Sequence, residues 1–483
     1  MKFGNIQRVI GFLIACSSLA MLPPVLVSLY YDDGTYPLFL DSAAIFLIVG
    51  MLIYLPVRKE TQDLRLRDGF LIVTCSWLAM VLVGALPFVL LTAPELSYVD
   101  AFFESMSGFT TTGATIFTNL DILPRAILYY RMQTQWLGGM GIIVLAVAIL
   151  PMLRVGGMHL FKAETPGPMN DAKLTPRIAE TAKALWLIYV GITVLCIIAY
   201  DMGGMSLFDA IGHAFSTVAT GGFSTHNDSF AYWNNPLLEA IAMFFMFVAG
   251  MNFTMHYAAW HRASMQTYFH DQEIRVYTLL LLIFIFLATF ALYVTNTFDS
   301  MWASFRHGAF HVVSVMSTTG FTTDPFYTWG SFVPLLLIFV AFVGGCGGST
   351  AGGMKVIRVI FLHRQALREI RLLIHPRAVL PVKYDQHTAS PQVMSAVWGF
   401  FFLFIASFAV MTMLLTATGL DMVTSYSAVV ACISNMGPGL GEAGLNYAGL
   451  NDPAKIILCF AMLLGRLEIY TLLVLFMPTF WLD

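Results

Sequence analysis

Apolar stretches long enough to cross a bilayer recur along this chain, among them Ile10 to Tyr31, Gly69 to Leu91, Ala182 to Tyr200, Tyr277 to Val294 and Val397 to Thr416. A helix needs ~20 such residues to span the hydrocarbon core, and a soluble core has no use for so many. Only 11% of the residues are charged, against roughly 25% in a soluble globular domain. The pattern predicts an all-α polytopic membrane protein. The cysteines Cys16, Cys75, Cys196, Cys346, Cys432 and Cys459 are scattered through apolar segments with no paired spacing for a metal site or a disulfide framework.

Basic residues orient the spans. With the N-terminus cytoplasmic, Lys2 and Arg8 lie inside, and so do Arg58 to Arg67, Arg154 to Lys183, Arg262 with Arg275, and Lys355 to Lys383. These segments hold 20 of the 25 Lys and Arg, leaving Arg125, Arg131, Arg306, Lys455 and Arg466, as the positive-inside rule requires. Each segment between two basic clusters must therefore go out and return.

On the outer side one phrase recurs. DAFFESMSGFTTTGAT (100–115) lies over DAIGHAFSTVATGGFS (209–224), HGAFHVVSVMSTTGFT (307–322) and TSYSAVVACISNMGPG (424–439) without gaps, which puts Gly113, Gly222, Gly320 and Gly437 in register. Each copy follows an apolar span, contains an apolar stretch of about 12 residues, too short to cross as a helix, ends in a small polar tip, and precedes another span. The expected unit is helix, pore loop, helix, repeated four times around one central pore after two extra N-terminal transmembrane helices. The boundaries read 1–67 for the extra helices, then 68–154, 155–262, 263–383 and 384–483 for the repeats, with loops at 110–115, 219–224, 317–322 and 434–439. Non-helical backbone at membrane depth survives only where protein buries it or water lines it. Four such loops present carbonyl oxygens that replace the hydration shell of an alkali cation, with the negative ends of short helices aimed at the same place. A turn or a small-residue packing contact explains one copy but not four in register.

The loop phrases TTTGAT, ATGGFS, STTGFT and SNMGPG, the two extra helices and the closing stretch GRLEIYTLLVLFMPTFW together resemble the superfamily of K⁺ transporters that includes the TrkH, KtrB and plant HKT proteins, in its bacterial TrkH branch. The resemblance covers the whole chain. It implies a K⁺-selective filter at Thr111, Thr112 and Gly113; Thr220, Gly221 and Gly222; Thr318, Thr319 and Gly320; and Asn435, Met436 and Gly437. It also implies K⁺ uptake in a bacterial inner membrane with both termini cytoplasmic, a homodimer, and a cytoplasmic TrkA-type regulatory subunit that binds NAD or ATP/ADP. A symporter coupling K⁺ to H⁺ or Na⁺ is the alternative. No site for nucleic acid and no arrangement for enzyme chemistry stands out.

Residues 344–353, GGCGGSTAGG, interrupt an apolar run. About 13 apolar residues precede them, some 20 Å of helix, so the break falls inside the hydrocarbon. The Walker spacing of a nucleotide loop is absent. Low torsional cost suits a segment that switches between two backbone states, and the resemblance implies a gate loop that blocks the permeation path: Gly344, Gly345, Cys346, Gly347, Gly348, Ser349, Thr350, Ala351, Gly352 and Gly353. Close helix packing is the alternative. Arg466, deep in the last helix, is expensive in a membrane and is expected to be functional; the resemblance places it in the pore beneath the filter, and a pair with Glu468 or Asp100 is the alternative. Asp100 and Asp209 are expected to cap their short helices, and His213 and His311 to hydrogen-bond within that layer rather than bind metal.

Overall fold

The computed structural model describes residues 3–59, 66–144, 178–384 and 387–482. The expected boundary at 154/155, Lys2, Arg65 and most of the Arg154 to Lys183 cluster lie outside the described residues.

Helices carry the described chain. Six are long and apolar enough to cross a membrane: Phe3–Tyr31, Tyr36–Val57, Arg67–Val89, Ala182–Met202, Gln272–Val294 and Pro391–Ala417. Two further candidates are bent pairs, Pro236–Ala249 with Phe253–Arg262 at 92° and Asp452–Arg466 with Tyr470–Phe476 at 111°. The chain is thus a multi-pass membrane protein. One departure from an all-α chain is a two-residue hairpin, in which Lys383–Tyr384 pairs antiparallel with His387–Thr388.

The first two spans cross where Gly11 faces Tyr54 and Gly50 faces Ala15, too closely for any side chain on either glycine. Such small-residue crossings stand in for the hydrophobic effect, which lipid does not supply between helices. Large apolar side chains such as Leu195, Phe286 and Phe402 stand exposed along the spans, where acyl chains replace water. Inside, one apolar cluster runs through residues 185–440 and a second joins the N-terminal helices to residues 73–130 and 400–472. The helix Arg125–Val144 is more polar, and its Arg131, Thr134 and Gln135 are buried and hydrogen-bonded.

Four short helices lie in the interior: Tyr98–Phe109, Leu207–Val218, Met301–Met316 and Met422–Ile433. Their N-caps are Ser97, Ser206, Ser300 and Asp421, each accepting a backbone N–H in the first turn. The expectation that Asp100 and Asp209 are caps is corrected here. Each sits three residues after its cap serine, donates its backbone N–H to that hydroxyl and accepts the hydroxyl's own hydrogen, so the carboxylate orients the cap rather than supplying it.

The five basic residues that fall outside the basic clusters are all engaged. Arg131 pairs with Glu104 at 2.7 Å, Arg306 with Glu239 at 2.6 Å and Lys455 with Asp100 at 2.6 Å. Arg125 lies over the Phe208 ring, and Arg466 donates to two backbone carbonyls.

Candidate functional site

The chain turns at the C-terminal end of each short helix in the same way. Thr111, Thr220, Thr318 and Asn435 have φ of 52°, 52°, 56° and 52°, and the glycines two residues on, Gly113, Gly222, Gly320 and Gly437, have φ of 83°, 79°, 83° and 93°. The residue between them donates its N–H back into the helix: Thr112 to Ser107 O at 2.9 Å, Gly221 to Ser216 O at 2.8 Å, Thr319 to Ser314 O at 2.8 Å and Met436 to Ala431 O at 2.7 Å. The carbonyl of this same residue faces the neighbouring loop.

Those carbonyls close a ring. Gly221 O lies against Gly113, Thr319 O against Gly222, Met436 O against Gly320 and Thr112 O against Gly437; a Cβ on any of the four glycines would sit closer than 3.0 Å to the neighbouring loop's oxygen. Glycine is thus required twice over, by positive φ and by the next loop's carbonyl. The order of contacts runs from each loop to the next in sequence and returns from the fourth to the first.

Side chains behind the ring hold it. Gln135 Nε2 donates to Gly221 O at 2.6 Å while its Oε1 accepts from Phe223 N at 3.1 Å. Asn435 Nδ2 donates to Thr112 Oγ1 and to Met462 O, both at 3.0 Å, and Tyr447 OH donates to Gly437 O at 2.7 Å. Arg131, fully buried, donates to Glu104, to Thr115 Oγ1 at 3.0 Å and to Ser224 O at 3.2 Å, and its guanidinium lies over the Phe223 ring. Glu104 also accepts from Ile116 N. The pair therefore joins the first loop to the second. His213 bonds Asp209 O and Ser224 Oγ, and His311 bonds His307 O and Asp324 O. Sequence reasoning placed the four loops but missed Gln135 and the Glu104–Arg131 pair. Arg131 had left a trace as a basic residue out of place; Gln135 had left none.

Below the ring, the helix Phe332–Val343 ends and residues 344–355 loop back before Val356–Ile374 begins. The ends of this loop are joined by Met354 N to Phe342 O and Val356 N to Gly345 O, both 2.9 Å. Its tip reaches the ends of the short helices. Gly352 N donates to Thr318 Oγ1 at 2.7 Å, Thr350 Oγ1 donates to Val218 O at 3.1 Å, and Gly352 abuts Ser434 O. Arg466, the last residue of its helix, donates from Nη1 to Thr350 O at 2.9 Å and from Nη2 to Gly138 O at 3.2 Å. Both alternative partners are engaged elsewhere, Glu468 with Arg358 at 2.7 Å and Asp100 with Lys455.

Comparison with known proteins covers the whole chain. A family model described as a cation transport protein, TrkH, matches residues 36–481. The chain is 49% identical to the Trk system potassium uptake protein TrkH of Halomonas elongata and 47% identical to that of Escherichia coli K12, over the full length of both partners in each case. It is 40% identical to the Escherichia coli protein TrkG, covering 99% of this chain and 98% of that one. The crystal structure of the potassium transporter TrkH from Vibrio parahaemolyticus superposes with a TM-score of 0.93 at 45% identity, all of both chains being covered.

Proposed function

The chain belongs to the TrkH family of cation transport proteins, and from that premise we propose that it takes up K⁺ through one channel-like pore. Four helix, pore loop, helix repeats surround this pore, with the two N-terminal spans outside them. The filter is the ring at Thr111 to Gly113, Thr220 to Gly222, Thr318 to Gly320 and Asn435 to Gly437. Its carbonyls take the place of water around a K⁺ ion, and the short helices aim the negative ends of their dipoles at the same point. One residue per loop contributes to the closed ring of carbonyls, fewer than a tetrameric K⁺ filter stacks, so selectivity for K⁺ over Na⁺ is moderate and Rb⁺ passes well.

Residues 344–353 are the gate. In the closed state the loop fills the space beneath the filter, and Arg466 both holds it through Thr350 O and sets a positive charge in the path of a cation. The protein is not an enzyme. It works in a bacterial inner membrane, N- and C-termini cytoplasmic, as a homodimer. A TrkA-type cytoplasmic subunit carrying NAD or ATP/ADP controls it, gripping the basic helix Val356–Ile374, whose far end leaves the membrane.

The observation that carries this reading is the ring of four backbone carbonyls, each seated against the next loop's glycine. The test is K⁺-driven flux in liposomes holding the purified chain without partners, native against Gly113→Ser. A serine there meets Gly221 O and strains a φ of 83°, so the expected outcome is a several-fold rise in Na⁺ permeability relative to K⁺. Unaltered selectivity in a well-folded variant would refute the filter assignment.

A further inference from the structure

The mechanism above assigns no role to the buried carboxylate of Glu273. This residue is the second of the span Gln272–Val294, is 1% exposed, and lies beside the gate loop. Its Oε1 accepts two backbone hydrogens that are ten residues apart in sequence: Gly347 N at 2.7 Å, inside the loop, and Ile357 N at 3.1 Å, in the first turn of Val356–Ile374. That helix has no side-chain cap of its own, because Lys355 stands at its N-cap position. The first N–H groups of a helix need acceptors, and a carboxylate placed there also meets the positive end of the helix dipole. Glu273 supplies both from another helix.

One oxygen thus serves the loop and the helix that leaves the membrane after it. We propose that Glu273 is the latch of the gate: it holds the loop closed through Gly347 and releases it when the Val356–Ile374 helix is drawn away. The two bonds fall together, since displacing the helix by a few ångströms removes Ile357 N and pulls the loop end it carries through Val356 N and Gly345 O. The residues on either side of Gly347 are fastened to a bend in a different span, where Cys346 N donates to Gly250 O at 2.9 Å and Phe253 N donates to Gly348 O at 3.1 Å. The stretch Cys346 to Gly348 is therefore held both by that bend and, through Glu273, by the first turn of the helix that follows the loop. Glu273 acts as a positioning residue; it touches no ion.

This inference rests on the reading of 344–353 as the gate, so the experiment carries a control for that reading. Rb⁺ uptake driven by a K⁺ gradient is measured in liposomes holding the full chain as native protein, Glu273→Ala, Glu273→Gln, Glu273→Asp, and a variant lacking Ser349 to Ala351, which shortens the loop without touching either partner of Glu273. In parallel, alkylation of Cys346, fully buried within the loop, is followed by peptide mass spectrometry. Loss of two charge-assisted bonds is expected to raise basal flux about tenfold in Glu273→Ala, with a smaller rise in Glu273→Gln, which keeps an oxygen acceptor without the charge. Cys346 alkylation should rise in the same order, and Glu273→Asp should stay nearest the native protein. If Glu273→Ala fails to fold, the isosteric Glu273→Gln decides. Native flux and native Cys346 protection in both folded variants, beside a leaking loop deletion, would overturn the latch and leave the gate standing. A loop deletion that does not leak would overturn both.

Discussion

Arg131 and Glu104 are both fully buried, 27 residues apart in sequence, and joined at 2.7 Å. Two charges at this depth have given up their hydration, and what compensates is the completeness of the network: Thr115, Ile116 N, Ser224 O and two aromatic rings take up the remaining valences. Removing one member leaves the other charged and without its counter-ion, a loss of about 3–5 kcal/mol in a buried pair, whereas removing both is far cheaper. Arg131→Met is therefore expected to lower the thermal unfolding temperature in detergent sharply, and adding Glu104→Gln to recover much of the loss. A double variant as unstable as the sum of two singles would show that the residues act separately. Half of this pair was legible in the sequence, because Arg131 breaks the positive-inside pattern. Its partner was not, since Glu104 occupies the position that His213 and His311 fill in the next two copies, and register alone does not say that a carboxylate there finds an arginine on another helix.

At the level of elements, the short helices and the interruption at 344 were readable because each rests on a local signal: an apolar stretch half the length of a span, or six glycines in ten residues. The bends at Gly250–Asn252 and after Arg466 were not read. Neither contains proline; the first is made by Asn252 capping a new helix through Thr254 N, the second by positive φ at Glu468 and Ile469. The loops between elements were no more legible, and one of them carries a titratable tie. His226, after the second of the four ring loops, stacks on Tyr232 and reaches Asp121 Oδ1 at 2.7 Å and Asp209 Oδ1 at 3.6 Å. Burial disfavours its charged form, but the Asp209 and Asp121 carboxylates outweigh that and raise its pKa above the ordinary value. A group whose pKa is raised on folding stabilises the protein fully below the unfolded value, about 6.5, and loses that contribution as pH climbs through the raised one. Native protein should therefore lose thermal stability above pH 6.5 by an increment that His226→Gln lacks. Parallel pH profiles for the two would show that the tie carries no stability.

Over the whole molecule, the geometry of the ring favours a pore over a carrier. A carrier that works by rocking one half against the other must part the halves along two seams. Here every seam between neighbouring loops is closed by a glycine seated on the next loop's carbonyl, and the ring runs through all four copies in sequence order. Parting any two loops would dismantle the only ion-binding geometry the proposal contains. The loop at 344–353, by contrast, is pinned by a handful of hydrogen bonds beneath the ring, and in the proposed mechanism it moves while the ring stays whole. Transport should accordingly be passive. In planar bilayers the current carried by the loop-shortened chain is expected to reverse near the K⁺ equilibrium potential, shifting by about 59 mV per tenfold change in K⁺ gradient for a monovalent ion, less whatever Na⁺ leaks through a filter of moderate selectivity. Imposing a pH gradient at fixed K⁺ and Na⁺ should leave the reversal potential where it was. A shift that follows the pH gradient would mean that protons travel with K⁺, and would require the ring to open and close in each cycle.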